Sequence, residues 1–263
     1  MDLQLSKKVA LVTGSTAGIG NAIAASLARE GATVIVSGRL AADVDAAVAS
    51  MQAETRGDVL GFAGDLSLAA VAESLVQRYP LVDILVNNLG IFEVRPFEEI
   101  ADADWQRFFD VNVLSGARLA RLYLPSMRKR NWGRIIFISS ESAYHIPSEM
   151  IHYGMTKAAQ IAVARGLAET TAGTGITVNS VLPGPTRSRG VGDFVAAMAQ
   201  RTDQSAEHVE REFFKTARPT SLLQRFATPA EVAAMVTYVA SPLAAATNGA
   251  ALRVDGGTIK SAF

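Results

Sequence analysis

Cysteine is missing from the 263-residue chain, so disulfide bonds and thiolate metal sites are excluded. An excess of charge of either sign is missing too, because 25 Lys and Arg residues balance 25 Asp and Glu residues. Without a net field, we expect neither nucleic acid nor an anionic membrane surface as a partner. The sequence has no cluster of His, Asp and Glu with metal-ligand spacing, so we expect no catalytic metal.

We also expect no separate targeting segment, because residues 6–8 lead directly into the apolar run Val9–Val12. We therefore expect a cytoplasmic protein. One stretch, residues 232–252, carries no charge and is long enough to span a bilayer. It contains Pro242 and Gly249, so we interpret it as a buried helix, a turn and a strand, and we expect no membrane span.

Hydrophobic residues make up 49% of the chain and charged residues 19%, which predicts a large buried core. Seven short apolar runs predict β-strands: KVALVTG, TVIVSG, DVLGFAGD, VDILVNNLG, GRIIFISS, GITVNSVLPG and AALRVDGG. Helical patterns cover residues 22–30, 42–55, 68–78, 104–129 and 153–173, and another begins after Thr228. This alternation predicts one α/β domain over residues 1–263, with a mostly parallel, seven-stranded sheet between two layers of helices.

Two helix ends carry strong local signals. Thr228, Pro229 and Glu231 have the spacing of a capping box with proline in the first turn. Gly31 suits the left-handed position that ends the helix over residues 22–30.

The least regular part of the chain is residues 184–226. It is polar, with weak helical patterning near residues 194–200 and 205–215. A long excursion within a compact domain is often functional, so we interpret it as a substrate loop or lid.

The first predicted strand runs into the sequence TGSTAGIG, which places Gly14, Gly18 and Gly20 between a strand and a helix. Glycine lets the backbone turn sharply and approach a diphosphate, and the N-terminus of a helix offers free N–H groups. A tight structural turn is the alternative, but the position at the first strand–helix turn favours phosphate binding.

The second predicted strand ends in Ser37, Gly38 and Arg39. A site that prefers NAD usually has an acidic residue here for the ribose 2′-hydroxyl, whereas Arg39 is suited to a 2′-phosphate. We therefore favour NADP, with NAD as the second cofactor. A solvated loop arginine is the alternative interpretation of Arg39.

Seven motifs follow one another along nearly the whole chain: TGSTAGIG, GDL at 64–66, NNLG at 87–90, VN at 111–112, ISS at 138–140, YGMTK at 153–157 and VLPGPTRS at 181–188. Each motif alone is weak, but the ordered set resembles the short-chain dehydrogenase/reductase family. The resemblance implies a Rossmann-type, doubly wound sheet and catalytic roles for Asn112, Ser140, Tyr153 and Lys157. It implies a cofactor site formed by Gly14, Ser15, Thr16, Gly18, Ile19, Gly20, Arg39, Asp65, Leu66, Asn87, Asn88, Gly90, Tyr153, Lys157, Pro183, Gly184, Thr186 and Ser188. Leu89 and Ser188 depart from the usual alanine and threonine of the family.

The resemblance also implies a reaction, the NADP-dependent interconversion of a carbonyl and a secondary alcohol. Tyr153 is then the general acid and base, Ser140 holds the carbonyl oxygen, and Asn112 holds a water. Lys157 holds the ribose hydroxyls and tunes Tyr153, which lies one helical turn away. At about 4 Å and an effective dielectric of about 20, the lysine charge is worth roughly 4 kcal/mol, near three pKa units, and burial opposes it. Taken singly, the tyrosine and lysine also fit an ordinary pair on a helix surface.

Two other functions stay open. The basic sequence MRKR at 127–130 resembles a helix end of acyl-carrier-protein reductases, which favours a 3-oxoacyl thioester reductase. However, a solvated helix C-terminus explains it better, and Thr174 stands where those reductases often have arginine. A second basic stretch, RSRG at 187–190, also invites an acidic partner. The third function is a non-catalytic dinucleotide-binding regulator, although such proteins tend to lose the tyrosine or the lysine.

The sequence leaves the substrate and the assembly undecided. Between Ser140 and Tyr153 lie two glutamates and two histidines that either contact a small carbonyl or alcohol substrate or are solvated: Glu141, His145, Glu149 and His152. Family members are often tetramers built through two long helices, here near 104–129 and 153–172, so we expect a homotetramer or homodimer. The small residues Ala158, Ala159 and Ala162 pack either at such a contact or on their own sheet.

Overall fold

The computed structural model describes residues 1–55 and 57–262, apart from the side chains at positions 189, 190, 193 and 194. Its strands are β1 Val9–Val12, β2 Thr33–Gly38, β3 Val59–Ala63, β4 Ile84–Asn87, β5 Gly133–Ile138, β6 Ile176–Pro183 and β7 Ala251–Val254. They form one sheet in the order β3-β2-β1-β4-β5-β6-β7, and every neighbouring pair is parallel. Each strand lies within one of the seven apolar runs, so the predicted doubly wound sheet is confirmed.

Helices cover both faces of this sheet. They are α1 Gly18–Arg29, α2 Ala41–Glu54, α3 Ala69–Arg78, α4 Asp102–Phe109, α5 Ser115–Arg130, α6 Ile151–Glu169, α7 Arg189–Thr202, α8 Ala206–Thr216 and α9 Pro229–Ala240. Helices α1, α2 and α9 enclose one hydrophobic core against the sheet, and α3, α5 and α6 enclose a second core on the opposite face. The predicted three-layer arrangement is therefore confirmed.

Strand β1 shows why the apolar runs have no polar alternation. Ala10 and Val12 pack into the core under α1 and α9, whereas Leu11 packs into the core on the other face. Successive side chains of a strand point to opposite faces, so a strand covered on both sides needs apolar residues at every position. At the sheet edge this demand relaxes, and Leu60 of β3 is 39% exposed.

Both helix-end signals are confirmed. The Thr228 side chain accepts a hydrogen bond from the Glu231 N–H, and the Glu231 carboxylate accepts one from the Thr228 N–H, with Pro229 in the first turn of α9. Gly31 follows α1 with a φ of +85°, in the left-handed region that favours glycine.

The prediction of one continuous helix over residues 104–129 was wrong in one respect. A short π-helical segment, Asp110–Leu114, separates α4 from α5, so the chain bulges outward by one residue there. Asn112 lies at the centre of this segment, which a 3.6-residue apolar pattern cannot reveal.

Residues 184–226 contain two helices near the two weak patterns: α7 is longer than its pattern predicted, and α8 nearly coincides with its pattern. α7 and α8 pack on each other through a small cluster formed by Val195, Val209, Phe214 and Phe226. This cluster is separate from the two cores that flank the sheet. The segment therefore has apolar packing of its own.

The uncharged stretch at residues 232–252 folds as predicted. It holds most of α9, a short turn at Pro242–Ala244 and the start of β7. In the part of the chain that the structure describes, no helix is both long and apolar enough to cross a membrane.

The capping box of α9 provides a test of the fold. Thr228→Ala removes the acceptor for the Glu231 N–H, and we expect it to lower the free energy of unfolding by about 1 kcal/mol in urea titrations. Thr247→Ala is the matched control, because the Thr247 hydroxyl has no hydrogen-bond partner among the described residues, and it should have a smaller effect. Equal losses in the two variants would contradict the assigned role of the cap.

Candidate active site

A cavity of about 630 Å³ opens at the carboxyl ends of the strands. Ligands of open parallel sheets bind at this edge, beside the point where the strand order reverses, here between β1 and β4. The predicted site residues that line it are Ile19, Asn88, Gly90, Ser140, Tyr153, Lys157, Pro183, Gly184, Thr186 and Ser188. The fold thus brings together residues from five of the seven motifs.

Each of the three glycines in the turn has its own physical reason. Gly14 and Gly18 have φ angles of +60° and +59°, which favour glycine. At Gly20, a Cβ atom would lie 2.4 Å from Asn88 Nδ2 and 2.5 Å from the Gly14 carbonyl oxygen. A side chain at Gly20 would therefore push the turn away from the end of β4.

The N-terminus of α1 is open to an anion. The residue before the helix, Ala17, provides no side-chain cap, and the first turn has no acidic residue. The first N–H groups of the helix and the positive end of its dipole are therefore available to a phosphate.

Two predicted cofactor residues also hold the turn in place. Asn88 Nδ2 donates to the Thr13 and Gly14 carbonyl oxygens at 2.9 Å each, which ties the end of β4 to the turn. Ser15 is fully buried, and its hydroxyl donates to the Val12 carbonyl oxygen at 2.7 Å. Their contacts with a cofactor stay predictions.

The residues predicted for the adenosine side lie beyond β2 and β3. Arg39 is exposed directly after β2 and has no hydrogen bond or ion pair within the described residues. Thr16 packs beside Gly38 at the same strand end. After β3, the Asp65 carboxylate accepts a hydrogen bond from the Ser67 N–H at 3.0 Å, and Leu66 is buried.

Asn112 anchors the chain that follows β4. Its Oδ1 accepts from the Ile91 N–H at 2.8 Å, and its Nδ2 donates to the Ile91 carbonyl oxygen at 3.0 Å and to Thr156 Oγ1 at 2.9 Å. The carboxamide therefore fixes the position of Gly90, where a Cβ atom would lie 3.4 Å from Asn112 Oδ1 and 3.5 Å from Lys157 Nζ.

Lys157 is buried, and its ammonium group has two protein partners. Nζ donates to the Ile138 carbonyl oxygen at 2.9 Å and to Gln160 Oε1 at 3.1 Å. An ammonium group has three N–H donors, so one remains for a ligand in the cavity. Burial lowers the pKa of Lys157 from 10.5 to about 8.

Gln160 is a site residue that the motifs did not identify. It is 1% exposed, and its Nε2 donates to the Asn112 main-chain carbonyl oxygen at 2.6 Å while its Oε1 accepts from Lys157. Asn112 and Lys157 are thus joined through protein atoms, in addition to any water. The spacing of Tyr153, Lys157 and Gln160 could have identified it, because residues three and four positions apart lie on the same face of a helix.

The expected tuning of Tyr153 by Lys157 is outweighed in this structure. Burial raises the pKa of Tyr153 well above 10, and the nearby charge of Glu141 raises it further, while Ser140 and Arg218 lower it. The lysine Nζ lies 5.5 Å from the centroid of the tyrosine ring. Desolvation of the phenolate therefore decides the direction of the shift.

Ser140 lies two residues after the end of β5 and caps a short turn at Glu141–Ala143. Its backbone is extended, and its hydroxyl donates to the Glu141 carboxylate while its oxygen accepts from the Ser142 N–H at 3.1 Å. The Glu141 carboxylate is in turn paired with Arg218, whose Nε lies 2.9 Å from Glu141 Oε1. Arg218 lies 77 residues further along the chain, and no sequence signal connected it to this site.

The motif after β6 forms the opposite wall of the cavity. A Cβ atom at Gly184 would lie 2.6 Å from the Asp255 carbonyl oxygen, so only glycine fits there. Thr186 Oγ1 donates to the Gly184 carbonyl oxygen at 2.9 Å, and Ser188 caps α7 by accepting from the Val191 N–H.

The two histidines between the motifs do not line the cavity. His145 is exposed, whereas His152 is fully buried against Phe108, with ring centroids 4.0 Å apart. Burial is also the main reason why the pKa of His152 is lowered. Glu149 is exposed and lies on the cavity wall. Within the described residues, no group of three or more His, Asp or Glu side chains is placed to hold a metal ion.

A parallel doubly wound sheet with a glycine turn and a Ser–Tyr–Lys cavity at its carboxyl edge defines the dinucleotide-binding class of oxidoreductases. The family model of short chain dehydrogenases matches residues 8–199. The chain is 47% identical to the uncharacterized oxidoreductase YvaG of Bacillus subtilis over the full length of both proteins. It is 35% identical to a D-beta-hydroxybutyrate dehydrogenase of Cupriavidus necator, over 97% of this chain and 99% of that protein.

Among solved structures, L-sorbose reductase from Gluconobacter frateurii superposes with a TM-score of 0.93 at 31% identity. The match covers 99% of this chain and 100% of that protein, whose structure contains NADPH and L-sorbose. The chain belongs to the short-chain dehydrogenase/reductase family of oxidoreductases, as the ordered motifs predicted.

Burial of the lysine predicts a pH-dependent stability. Between pH 8 and pH 10 the unfolded chain keeps a proton on Lys157 that the folded chain has released, so stability rises with pH. The free energy of unfolding of the wild type minus that of Lys157→Met should therefore increase by about 2 kcal/mol from pH 8 to pH 10, measured by urea titration.

Lys129→Met serves as the control for this experiment, because Lys129 is exposed at the end of α5. Its difference from the wild type should be nearly the same at both pH values. A constant difference for Lys157→Met would show that the lysine keeps its proton in the fold.

Proposed function

We propose that the protein is an NADP(H)-preferring oxidoreductase that interconverts a carbonyl and a secondary alcohol by hydride transfer, with Tyr153 as general acid and base. The observation that carries the proposal is the single cavity in which Ser140, Tyr153 and Lys157 lie beside the glycine turn. Its substrate is a small molecule, and NAD is the alternative cofactor.

The carboxyl edge of the sheet fits a nicotinamide dinucleotide. The uncapped N-terminus of α1 and the left-handed Gly14 and Gly18 suit a diphosphate, and the exposed Arg39 suits a 2′-phosphate. The NADPH in the L-sorbose reductase structure supports the same assignment. When bound, the cofactor supplies or accepts the hydride.

The free donor of Lys157 would hold the ribose hydroxyls, and Pro183 and Thr186 would lie by the nicotinamide. The other residues that we assign to cofactor binding are those that the motifs predicted: Gly14, Ser15, Thr16, Gly18, Ile19, Gly20, Arg39, Asp65, Leu66, Asn87, Asn88, Gly90, Gly184 and Ser188. Asn112 supports this wall from behind through its bonds to Ile91.

Tyr153 acts as the proton donor when a carbonyl is reduced. Because its pKa is raised, the phenol keeps its proton at neutral pH and is able to transfer it to the developing alkoxide. In the reverse direction, the phenolate has to be stabilised by the charge of Lys157.

Ser140 positions the reacting oxygen. Its hydroxyl has one proton, which is directed to Glu141, so the hydroxyl has to rotate before it donates to a carbonyl oxygen. Glu141 keeps Arg218 and the Ser142 N–H as partners during this rotation, and its buried carboxylate therefore stays compensated.

A 3-oxoacyl thioester reductase is our second candidate within the family. The basic helix end that favoured it is engaged in the fold, since Arg128 donates to the Thr170 carbonyl oxygen and Arg130 to the Val82 carbonyl oxygen. In the stretch at 187–190, Arg187 pairs with Glu210 of α8. A non-catalytic regulator is the third candidate, and it is disfavoured because the tyrosine and lysine are both present.

We retain the remaining expectations as parts of this proposal. The chain acts as one domain in which residues 184–226 close the cavity, and the protein is cytoplasmic. It assembles as a homotetramer or homodimer through the long helices. Ala158 and Ala159 are partly buried and Ala162 is exposed on α6, which leaves this face accessible to a second copy.

Tyr153→Phe tests the proposed chemistry directly. The variant lacks the proton donor but keeps the ring, so we expect NADPH oxidation with ketones or 3-oxoacyl thioesters to fall at least about 100-fold. NADPH binding, followed by nicotinamide fluorescence, should persist. Tyr238→Phe, on the exposed side of α9, is the matched control and should retain full activity.

Full activity in Tyr153→Phe would overturn the mechanism. If the wild type binds NADPH but reduces nothing across a broad panel, the regulator becomes the better proposal. Turnover of thioesters alone would favour the acyl reductase.

Arg39 tests the cofactor preference. Arg39→Leu removes the cation that suits the 2′-phosphate, so the ratio of kcat/KM for NADPH to that for NADH should fall about 10- to 100-fold. Arg78→Leu, an exposed arginine at the end of α3, should leave this ratio unchanged. An unchanged ratio in Arg39→Leu would show that Arg39 is a solvated loop residue that does not bind the 2′-phosphate.

A further inference from the structure

Glu141 and Arg218 form a buried charged pair on the wall of the cavity, outside the set of groups assigned to the reaction. Their side chains are 5% and 8% exposed, respectively, and the guanidinium Nε lies 2.9 Å from the carboxylate Oε1. Both residues line the same cavity as Ser140 and Tyr153. Charged side chains are rarely buried at such a place unless their remaining hydrogen-bonding groups have partners.

Donors of the protein already occupy most of the acceptor sites of the Glu141 carboxylate. Its Oε2 accepts from the Ser140 hydroxyl, from the Ser142 N–H at 2.8 Å and from the Ser142 hydroxyl at 3.1 Å. Its Oε1 accepts from Arg218. Oε2 therefore has no acceptor site left, whereas Oε1 keeps one beside its bond to Arg218. Because the carboxylate is held by Ser140, Ser142 and Arg218, Glu141 acts as a positioning residue.

The donor capacity of Arg218 is not used up. Nε donates to Glu141, and Nη1 donates to the Ala217 carbonyl oxygen at 2.8 Å. Within the described residues, Nη2 has no hydrogen-bond partner. A guanidinium group has five N–H donors, so Arg218 presents unpaired donors at the cavity wall.

The wall of the cavity that Arg218 lines is mainly apolar. Its lining includes Ile91, Phe92, Met150, Phe213 and Phe226. An unpaired charged donor on such a wall needs an acceptor, which either water or an oxygen atom of a bound ligand supplies. The cavity is therefore suited to a ligand that is mostly apolar and has an oxygen atom at Arg218.

We propose that Arg218 is a specificity-determining residue whose Nη2 binds a second, uncharged oxygen of the substrate, so that the substrate class is hydroxy- or oxo-substituted carbonyl compounds. Glu141 holds the guanidinium in place and already neutralises it, and a substrate carboxylate would leave an excess negative charge at this wall. The inference rests on the proposed carbonyl chemistry and deepens it, because it names the group that accompanies the reacting carbonyl.

Isosteric ketones test the inference. The hydroxyketones 4-hydroxy-2-butanone and 1-hydroxy-2-butanone differ from 2-pentanone and 3-pentanone, respectively, only by a hydroxyl in place of a methyl group. In the wild type, kcat/KM with NADPH should be higher for the hydroxylated member of at least one pair. Arg218→Lys keeps a cation for Glu141 but lacks the planar fork, so this preference should fall about 10- to 100-fold.

Two further variants separate specificity from folding. Arg211→Lys makes the same change on the exposed side of α8 and should keep the wild-type preference. The double variant Glu141→Gln/Arg218→Met removes both charges together, so it leaves no unpaired buried ion, and it should also lose the preference. Circular dichroism and NADPH binding check that each variant is folded.

The outcomes distinguish this inference from the proposed function. Turnover of other ketones in the broad panel but of none of these four overturns the inference alone, whereas a wild type that reduces nothing across the panel contradicts both. Turnover with an unchanged preference in Arg218→Lys overturns the inference alone, as does a change confined to NADPH affinity. A higher kcat/KM for acetoacetate than for its methyl ester would overturn the assignment to an uncharged oxygen.

Discussion

Parallel pairing of the strands is the constraint on which the site depends. Because all seven strands run in the same direction, their carboxyl ends meet at one edge, and the chain must leave that edge after every strand. The glycine turn follows β1, Asn88 and Gly90 follow β4, and Ser140 follows β5. Residues that lie more than a hundred positions apart in the chain are therefore close together at this edge, even where their side chains do not contact each other directly. Reversal of the strand order beside β1 leaves the crevice in which they face each other.

Burial raises the pKa of Tyr153 and lowers the pKa of Lys157, the two ionisable groups of the YGMTK motif. It disfavours the phenolate of Tyr153 and the ammonium of Lys157, so both groups are shifted toward their neutral forms. A Coulomb estimate at about 4 Å predicts strong tuning by the lysine, but the ammonium group is directed to Ile138 and Gln160. Without cofactor, the site therefore holds a protonated phenol beside a lysine that titrates near neutral pH. A bound ligand that accepts the third lysine hydrogen bond adds to the stabilisation of its charge.

The sequence predicted those parts of the molecule in which local preference and tertiary structure agree. Short, continuous apolar runs predicted the strands. Thr228 and Gly31 marked helix ends, because a cap is decided by residues that are close in sequence. It failed where long-range geometry decides. The π segment around Asn112 leaves no trace in an apolar pattern, and the pairing of Glu141 with Arg218 joins segments whose approach depends on how α8 packs. Gln160 lies between these cases. Its spacing from Tyr153 and Lys157 indicated a shared helix face, but nothing in the sequence indicated its hydrogen-bond partners.

The ion pair between Glu141 and Arg218 is difficult to explain as a device for stability. Removing two charges from water costs several kcal/mol, and an apolar pair of similar volume would hold α8 against the β5 turn at least as well. The apolar cluster of Phe214, Phe226 and their neighbours already gives the segment its own packing. An apolar pair could neither accept the hydrogen bond of the Ser140 hydroxyl, as Glu141 does, nor present an N–H donor to the cavity, as Arg218 does. The same contact links residues 184–226 to Ser140, the residue that we propose to position the reacting oxygen, and such a link would account for charges at this position.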